Sequence, residues 1–263
     1  MGKFSNEVKE NYKKSKKSSI TIYFILRILV IISMIAQILL KDWGNVFLCV
    51  VTLLCFTIPS IVKDKLKIEL PNVLESIVYL FIFASAILGE INNFYGTVPY
   101  WDKMLHTING FICAGIGFSL VDLLNRNSSK INLSPLYVAI VAFCFSMTVG
   151  VIWEFYEFSC DIIAKTDMQK DTIVKSISSV ELNEEKKNKA VTVNDIKKTT
   201  ITKSNGDEIV INGGYLDIGL IDTMEDLFVN LIGAVVFSII GYIYVKNRDK
   251  DGFASNFIPK KIQ

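Results

Sequence analysis

Residues 136–158 read LYVAIVAFCFSMTVGVIWEFYEF, and the first charged side chain in this stretch is Glu154. A transmembrane α-helix needs about 20 mainly apolar residues, because the hydrocarbon core of a bilayer is about 30 Å thick and a helix rises about 1.5 Å per residue. The stretch is long enough to cross a membrane, and it ends in aromatic and acidic residues. We therefore expect a transmembrane helix here.

Five other apolar runs of similar length occur in the chain of 263 residues. The six predicted spans cover residues 20–40, 43–62, 72–91, 100–124, 136–158 and 220–245. The composition agrees, since 51% of the residues are hydrophobic and the charged 21% are concentrated outside these runs. We predict an all-α polytopic membrane protein, a bundle of six transmembrane helices. A soluble globular enzyme, a disordered chain and a fibrous protein are excluded.

Lysine and arginine residues predict the orientation of the spans. The arm 1–19, the gaps after the second and fourth spans, and the tail 246–263 are basic, whereas the gap 92–99 contains neither residue type. Positive residues accumulate on the cytoplasmic side of a membrane. We therefore expect cytoplasmic termini, with helices 1–5 in residues 20–160, helix 6 in residues 220–245 and the segment 161–219 outside.

The segment 161–219 predicts a small β-hairpin insert on the outer face. Asn205-Gly206 stands between the β-branched runs 199–202 and 209–211. Asn-Gly between such runs is a strong hairpin signal, because both residues accept a positive φ. Residues 191–193 are a candidate for a third strand. The sequence of the insert predicts no catalytic residue.

Acidic residues cluster at the outer ends of the last three spans. A charged side chain inside a membrane span is energetically costly, so it usually has a partner or a function. They are Asp102 with His106 in the fourth span, Glu154 with Glu157 in the fifth, and Asp222 with Asp226 in the sixth. The members of each pair are three or four residues apart, so each pair occupies one face of its helix. The helical rise places three of the residues about 9 Å below the outer boundary and the other three about 3–4 Å below it. The deeper layer is His106, Glu154 and Asp226.

These six residues are our candidate metal ligands, and the deeper layer supplies the candidate catalytic residues. No lysine or arginine of these helices is expected to neutralise them, since Lys103 is expected to point away from Asp102. Three solutions remain: a divalent metal ion, a cationic substrate, or protonation of some carboxyls. Carboxylates with one imidazole suit Mg, Mn, Zn or Fe. Alternatively, the acids face water in the headgroup zone, beside aromatic anchors.

The cysteines, the net charge and the remaining charged residues of the spans are less informative about function. The five cysteines form no CxxC pair, and four lie in apolar runs, which indicates small buried hydrophobic residues. With a formal net charge of +2 and no basic stripe, we expect no nucleic-acid partner. Arg27 and Glu75 lie toward the inner ends of their spans and are expected to pair, or Arg27 is expected to extend toward the inner membrane surface.

Three motifs resemble the YjdF-like family of bacterial inner-membrane proteins, over about residues 70–245. They are YWDKMLH at 100–106, WEFYE at 153–157, and DTMED at 222–226 followed by Asn230 and Gly233. A fainter similarity is to VanZ-like proteins, which also pair an aspartate and a histidine at the start of one span with an acid on the next. The resemblance implies a multi-pass protein of the bacterial plasma membrane. VanZ-like members are linked to glycopeptide-antibiotic tolerance, which implies a role at the cell envelope.

We predict a function at the outer leaflet, where the acidic site binds a cation, or binds or acts on an envelope lipid or lipid-linked head group. An enzyme with such a site would be a metal-dependent hydrolase or group transferase, with His106 as a ligand or general base. One alternative is an ion-coupled transporter. The other is a structural or assembly protein, whose acidic face contacts a partner.

Overall fold

The computed structural model describes residues 2–66, 68–127, 132–185, 187–247, 257 and 260–261. The helices are α1 (Gly2–Leu40), α2 (Trp43–Cys55), α3 (Ile58–Leu66), α4 (Asn72–Phe83), a π-helix (Ala84–Ile91), α5 (Phe94–Thr97), α6 (Trp101–Asn127), α7 (Pro135–Ala164) and α8 (Leu220–Asn247). The strands are β1 (Ile68–Glu69), β2 (Ile173–Val174), β3 (Ile177–Ser179), β4 (Val191–Val193), β5 (Lys198–Thr202), β6 (Glu208–Asn212), β7 (Tyr215–Leu216) and β8 (Lys260–Lys261).

The predicted membrane fold is confirmed, because six helical segments of the described residues are long and apolar enough to cross a bilayer. They are Ser18–Leu40, Trp43–Lys65, Asn72–Ile91, Trp101–Asn125, Pro135–Ala164 and Leu220–Asn247. Large apolar side chains on these segments are exposed, among them Leu39 at 78% and Phe47 at 70%. Lipid tails can cover such surfaces at no cost, whereas water cannot. The protein is a multi-pass membrane protein embedded in a bilayer.

The chain divides into two compact units, residues 1–151 with 226–263, and residues 152–225. In the first unit, α1, α2 and α4 share a core that includes Leu26, Val30, Phe56 and Tyr79. Glu75 accepts hydrogen bonds from Ser19 Oγ at 2.8 Å and from the Tyr79 hydroxyl at 3.0 Å. Arg27 donates to the Tyr23 hydroxyl instead of pairing with Glu75. Its guanidinium therefore extends toward the start of α1.

The second half of the third span is a π-helix, which the sequence did not predict. Helices of this kind are rare and occur often at functional sites. Gly89 allows the Tyr95 ring to pack directly on the backbone, since a Cβ there would lie 2.4 Å from a ring carbon. The Asn92 side chain donates to the Ile87 carbonyl at 2.6 Å and closes the end of the π-helix.

Small residues bring α6 and α8 into backbone contact. A Cβ at Gly110 would lie 2.1 Å from the carbonyl oxygen of Asn230, and a Cβ at Gly233 would lie 2.0 Å from that of Thr107. Farther along, Gly115 faces Phe237. Lys103 meets Asp226 near the start of both helices, and Gly241 packs on Phe118 farther along both, so α6 and α8 run parallel.

The core of α6, α7 and α8 continues from these glycines along the bundle. It contains Ala114, Phe118, Val138, Ala142, Ala234, Phe237 and Tyr244. The five cysteines are free. Cys49 and Cys113 are buried, as the sequence predicts, whereas Cys144 is exposed on α7.

The described residues of the second unit form three antiparallel strand pairs, β2 with β7, β3 with β4, and β5 with β6. The predicted hairpin is β5–β6, and Gly206 in its turn has a φ of +91°. The predicted third strand, Val191–Val193, is present, but it pairs with β3. In the first unit, β1 pairs with β8.

The carboxylate of Asp217 accepts several backbone hydrogen bonds at the end of the insert, just before α8. Asp217 accepts backbone N–H groups from Thr172 at 2.6 Å, Ile221 at 2.9 Å and Gly219 at 3.3 Å. Burial raises the pKa of Asp217, but these donors outweigh burial and hold the pKa below its ordinary value. The opposite holds for Asp171, whose pKa is raised by burial and then by the charges of neighbouring aspartates. The ionised Asp217 therefore stabilises the insert at neutral pH, and this contribution is lost only as the pH falls through its lowered pKa.

Candidate metal site

Three metal-ligating side chains meet between α6 and α8. His106 Nε2 lies 3.6 Å from Asp102 Oδ1 and 3.9 Å from Asp226 Oδ2. One ligand atom from each of the three residues lies within 4.8 Å of the other two. The structure thus brings together half of the predicted ligand set.

The local fold explains this convergence. Asp102 and His106 are one turn apart at the start of α6, so their side chains point the same way. Asp226 stands on α8 at the level of His106, because the glycine contacts hold the two helices against each other one turn farther along. A side chain at either glycine would push the two backbones apart and draw these ligands away from each other.

The site is largely withdrawn from solvent. Asp226 is fully buried and His106 is 7% exposed, whereas the Asp102 side chain keeps 28% of its surface accessible. A buried carboxylate is stable as an anion only with a counter-charge and hydrogen bonds. The accessible Asp102 side opens the site to a ligand.

Lys103 supplies part of this counter-charge, and our expectation that it points elsewhere was wrong. Its Nζ lies 3.3 Å from Asp226 Oδ1. Lys103 is one turn before Thr107, whose carbonyl faces Gly233, so this side of α6 is directed at α8. The long lysine side chain then reaches the carboxylate. With a neutral imidazole, Asp102, Lys103 and Asp226 carry a formal charge of −1.

The donor set fits a divalent cation. Zinc binds imidazole nitrogen and carboxylate oxygen at about 2.0–2.2 Å, so tetrahedral ligand atoms stand about 3.4 Å apart. The separations of 3.6 and 3.9 Å around His106 Nε2 exceed this value by only a few tenths of an ångström. Small side-chain rotations would close the set, and the remaining coordination positions would stay open to water or substrate.

Asparagines hold the three helices together one turn beyond Asp226. Asn230 is fully buried, accepts a hydrogen bond from Asn109 Nδ2 at 3.4 Å, and lies 3.6 Å from Met147 Sδ. A Cβ at Gly150 would lie 2.7 Å from Asn230 Nδ2. Sequence reasoning noted Asn230 but missed Asn109, although its position three residues after His106 was a usable signal.

The other predicted ligands, Glu154, Glu157 and Asp222, lie in the second unit and are buried there. Glu157 accepts the indole N–H of Trp153 at 2.7 Å. Asp222 accepts the backbone N–H of Lys170 at 2.8 Å.

Comparison with known proteins identifies the family. The chain matches the sequence model of a family described as predicted membrane protein (DUF2238) over residues 20–247. An uncharacterized protein of Thermotoga maritima is 30% identical over 95 residues, which is 36% of this chain and 47% of that relative. The similarity thus spans about half the length of the relative. No solved structure matches the chain. Because the family model covers nearly all of the six spans and each residue of the site, the chain belongs to the DUF2238 family of membrane proteins.

Proposed function

We propose that this membrane protein binds a divalent cation at Asp102, His106 and Asp226 and uses it to bind or act on the phosphate-bearing head group of an envelope lipid. The observation that carries the proposal is the convergence of two carboxylates and the imidazole to within 4.8 Å. Glu154, Glu157 and Asp222 remain proposed ligands, with Glu154 as the third candidate catalytic residue.

The proposed location is the outer leaflet of a bacterial plasma membrane. The basic arm, gaps and tail favour cytoplasmic termini. With that orientation, the start of α6 faces outward and residues 161–219 are extracytoplasmic. The resemblance of the three motifs to YjdF-like and, more distantly, VanZ-like proteins supports an envelope role.

The formal charge of the site with a bound cation favours an anionic head group. A divalent cation would change the formal charge of Asp102, Lys103 and Asp226 from −1 to +1. A phosphate oxygen at such a site would meet both the cation and the Lys103 ammonium. When bound, a divalent cation polarises a phosphoryl oxygen and lowers the pKa of a bound water to about 7. His106 would serve as the nitrogen ligand of this cation.

An apolar cavity of about 390 Å³ lies among α1, α4, the π-helix and α6. Met104 and Ile108 line it from α6, and each is two residues from His106, so the cavity and the site lie on different faces of this helix. The site itself is in a helix of membrane length, so membrane lipids are the nearest source of a phosphate group. This location favours a lipid head group over a soluble phosphate.

One observation favours an ion-coupled transporter as the second candidate. Asp226 and Lys103 form an ion pair within a span, and charges of this kind often mark ion or proton pathways. A transporter predicts saturable, cation-dependent flux into liposomes, which a head-group enzyme does not produce.

The experiment that tests the proposal is elemental analysis of the full chain, purified without chelator. We expect about one divalent metal ion per wild-type chain, and a loss of about tenfold or more in His106→Ala and Asp226→Asn. Asp122→Asn is the matched control, because Asp122 is also a buried carboxylate on α6, five turns from the site. Equal metal content in all four folded proteins, or none in the wild type after incubation with Mn²⁺ or Zn²⁺, would refute the proposal.

A further inference from the structure

A second cavity, of about 340 Å³, lies between the first two turns of α7 and the second half of α8. Leu136, Ala139 and Ile140 line it from α7, and Ser238 and Tyr242 line it from α8. Ser238 is 12 residues beyond Asp226, which is about 18 Å along the helix. This groove is therefore separate from the proposed cation site.

Ser238 lines the groove, and its hydroxyl oxygen is buried behind the groove wall. The residue is 8% exposed, and its Oγ has no hydrogen-bond partner among the residues that the structure describes. Other hydroxyls in these helices have carbonyl partners: Ser119 donates to Gly115 at 2.6 Å, and Thr148 donates to Cys144 at 2.8 Å. A buried hydroxyl without a partner is costly, so a ligand that accepts its hydrogen bond gains affinity.

A cationic side chain stands beside the groove. Lys246 Nζ lies 5.5 Å from the centre of the Tyr242 ring, and Tyr242 lines the groove one turn after Ser238. In sequence, Arg248 and Lys250 follow at the end of this span. Basic residues directly after a transmembrane helix, and basic pockets between helices, attract acidic lipid head groups.

We infer that this groove binds one anionic phospholipid. An acyl chain lies against the apolar wall, and the phosphate lies near the Lys246 ammonium. The Ser238 side chain turns about χ1 into the groove, where its Oγ donates a hydrogen bond to an ester carbonyl oxygen. The glycerol backbone of a phospholipid joins an apolar chain, an ester and a phosphate in this order. The apolar wall alone would also accept a second copy of the chain, but that occupant explains neither the free hydroxyl nor the cation.

The test is native mass spectrometry of the full chain, titrated with phosphatidylglycerol and phosphatidylcholine that carry the same acyl chains. For wild type we expect phosphatidylglycerol to bind at least about fivefold more tightly. Lys246→Gln removes this preference, because the head-group charge no longer has its partner. Ser238→Ala weakens both lipids by about fivefold, because the ester loses its donor.

Two controls match these substitutions in chemistry. Lys41→Gln removes an equal charge from an exposed position between α1 and α2, and Thr148→Ala removes a hydroxyl that already bonds within α7. Both are expected to bind the lipids as wild type does. A third variant, Ala139→Phe, fills the groove and is expected to bind neither lipid there.

Three results would overturn the inference. In the first, wild type binds the two lipids equally. In the second, Lys246→Gln and Ser238→Ala bind them as the two controls do. In the third, wild type is a dimer that takes up no phosphatidylglycerol, which makes the groove an interface between copies.

Discussion

Gly233→Ala is expected to lower the thermal unfolding midpoint by roughly 5 °C and to abolish cation binding at the site. The added Cβ would lie 2.0 Å from the Thr107 carbonyl oxygen and 2.8 Å from the Phe111 nitrogen. Both atoms belong to the α6 backbone, so the whole helix must move. Since Asp102 and His106 are on α6 and Asp226 is on α8, this movement separates the ligands. Thermal unfolding and metal analysis on the same sample measure both effects.

Gly44→Ala is the matched control for this substitution. Gly44 lies in the first turn of α2, and a Cβ there would lie an ordinary 3.5 Å from Asp42 Oδ1. Alanine has a higher helix propensity than glycine, so this variant is expected to be neutral or slightly stabilised. If Gly233→Ala unfolded at the same temperature as Gly44→Ala and kept its metal, close helix contact would not be what assembles the site.

Lys103→Met is expected to destabilise the metal-free protein by about 3–5 kcal/mol, because Asp226 is left buried without the ammonium. Saturating Mn²⁺ or Zn²⁺ is expected to restore most of this stability. The cation affinity of the variant should exceed that of wild type by about tenfold, because the cation no longer competes with Lys103 for the carboxylate. Thermal unfolding with and without metal measures the stability, and titration measures the affinity.

A purely structural ion pair predicts the opposite for Lys103→Met. The variant would then be destabilised equally with and without metal, and the double variant Lys103→Met with Asp226→Asn would recover much of the lost stability in either condition. Lys41→Met provides the control for an equal change of charge at an exposed position.

The sequence predicted those parts of the structure that depend on local chemistry. Apolar runs of membrane length predicted the six spans, and Asn205-Gly206 predicted the β5–β6 hairpin. Helical spacing also predicted that Asp102 and His106 share one face of α6, and the helical rise placed His106 and Asp226 in one layer, with Asp102 one turn nearer the outer boundary. Each inference needs only the rise of a helix or the preference of a turn.

Features that depend on contacts between distant residues were not predictable in this way. The direction of the Lys103 side chain depends on how α6 is rotated against α8, and this rotation is set by Gly110 and Gly233.

The fifth helix extends beyond the span that the sequence predicted. The end of this span was placed at residue 158, because the acids there resemble a membrane boundary. The helix continues to Ala164, and Lys165, with a φ of +57°, follows its end.

The most direct test of the cation site is the pulsed EPR spectrum of wild-type protein loaded with one equivalent of Mn²⁺. His106 is the only histidine in the chain, so a coupling to an imidazole nitrogen identifies this residue as a ligand without ambiguity. We predict this nitrogen coupling in wild type and in Asp122→Asn, and its loss in His106→Gln. Bound Mn²⁺ that shows no imidazole coupling in wild type would contradict a cation site built by α6 and α8 around His106.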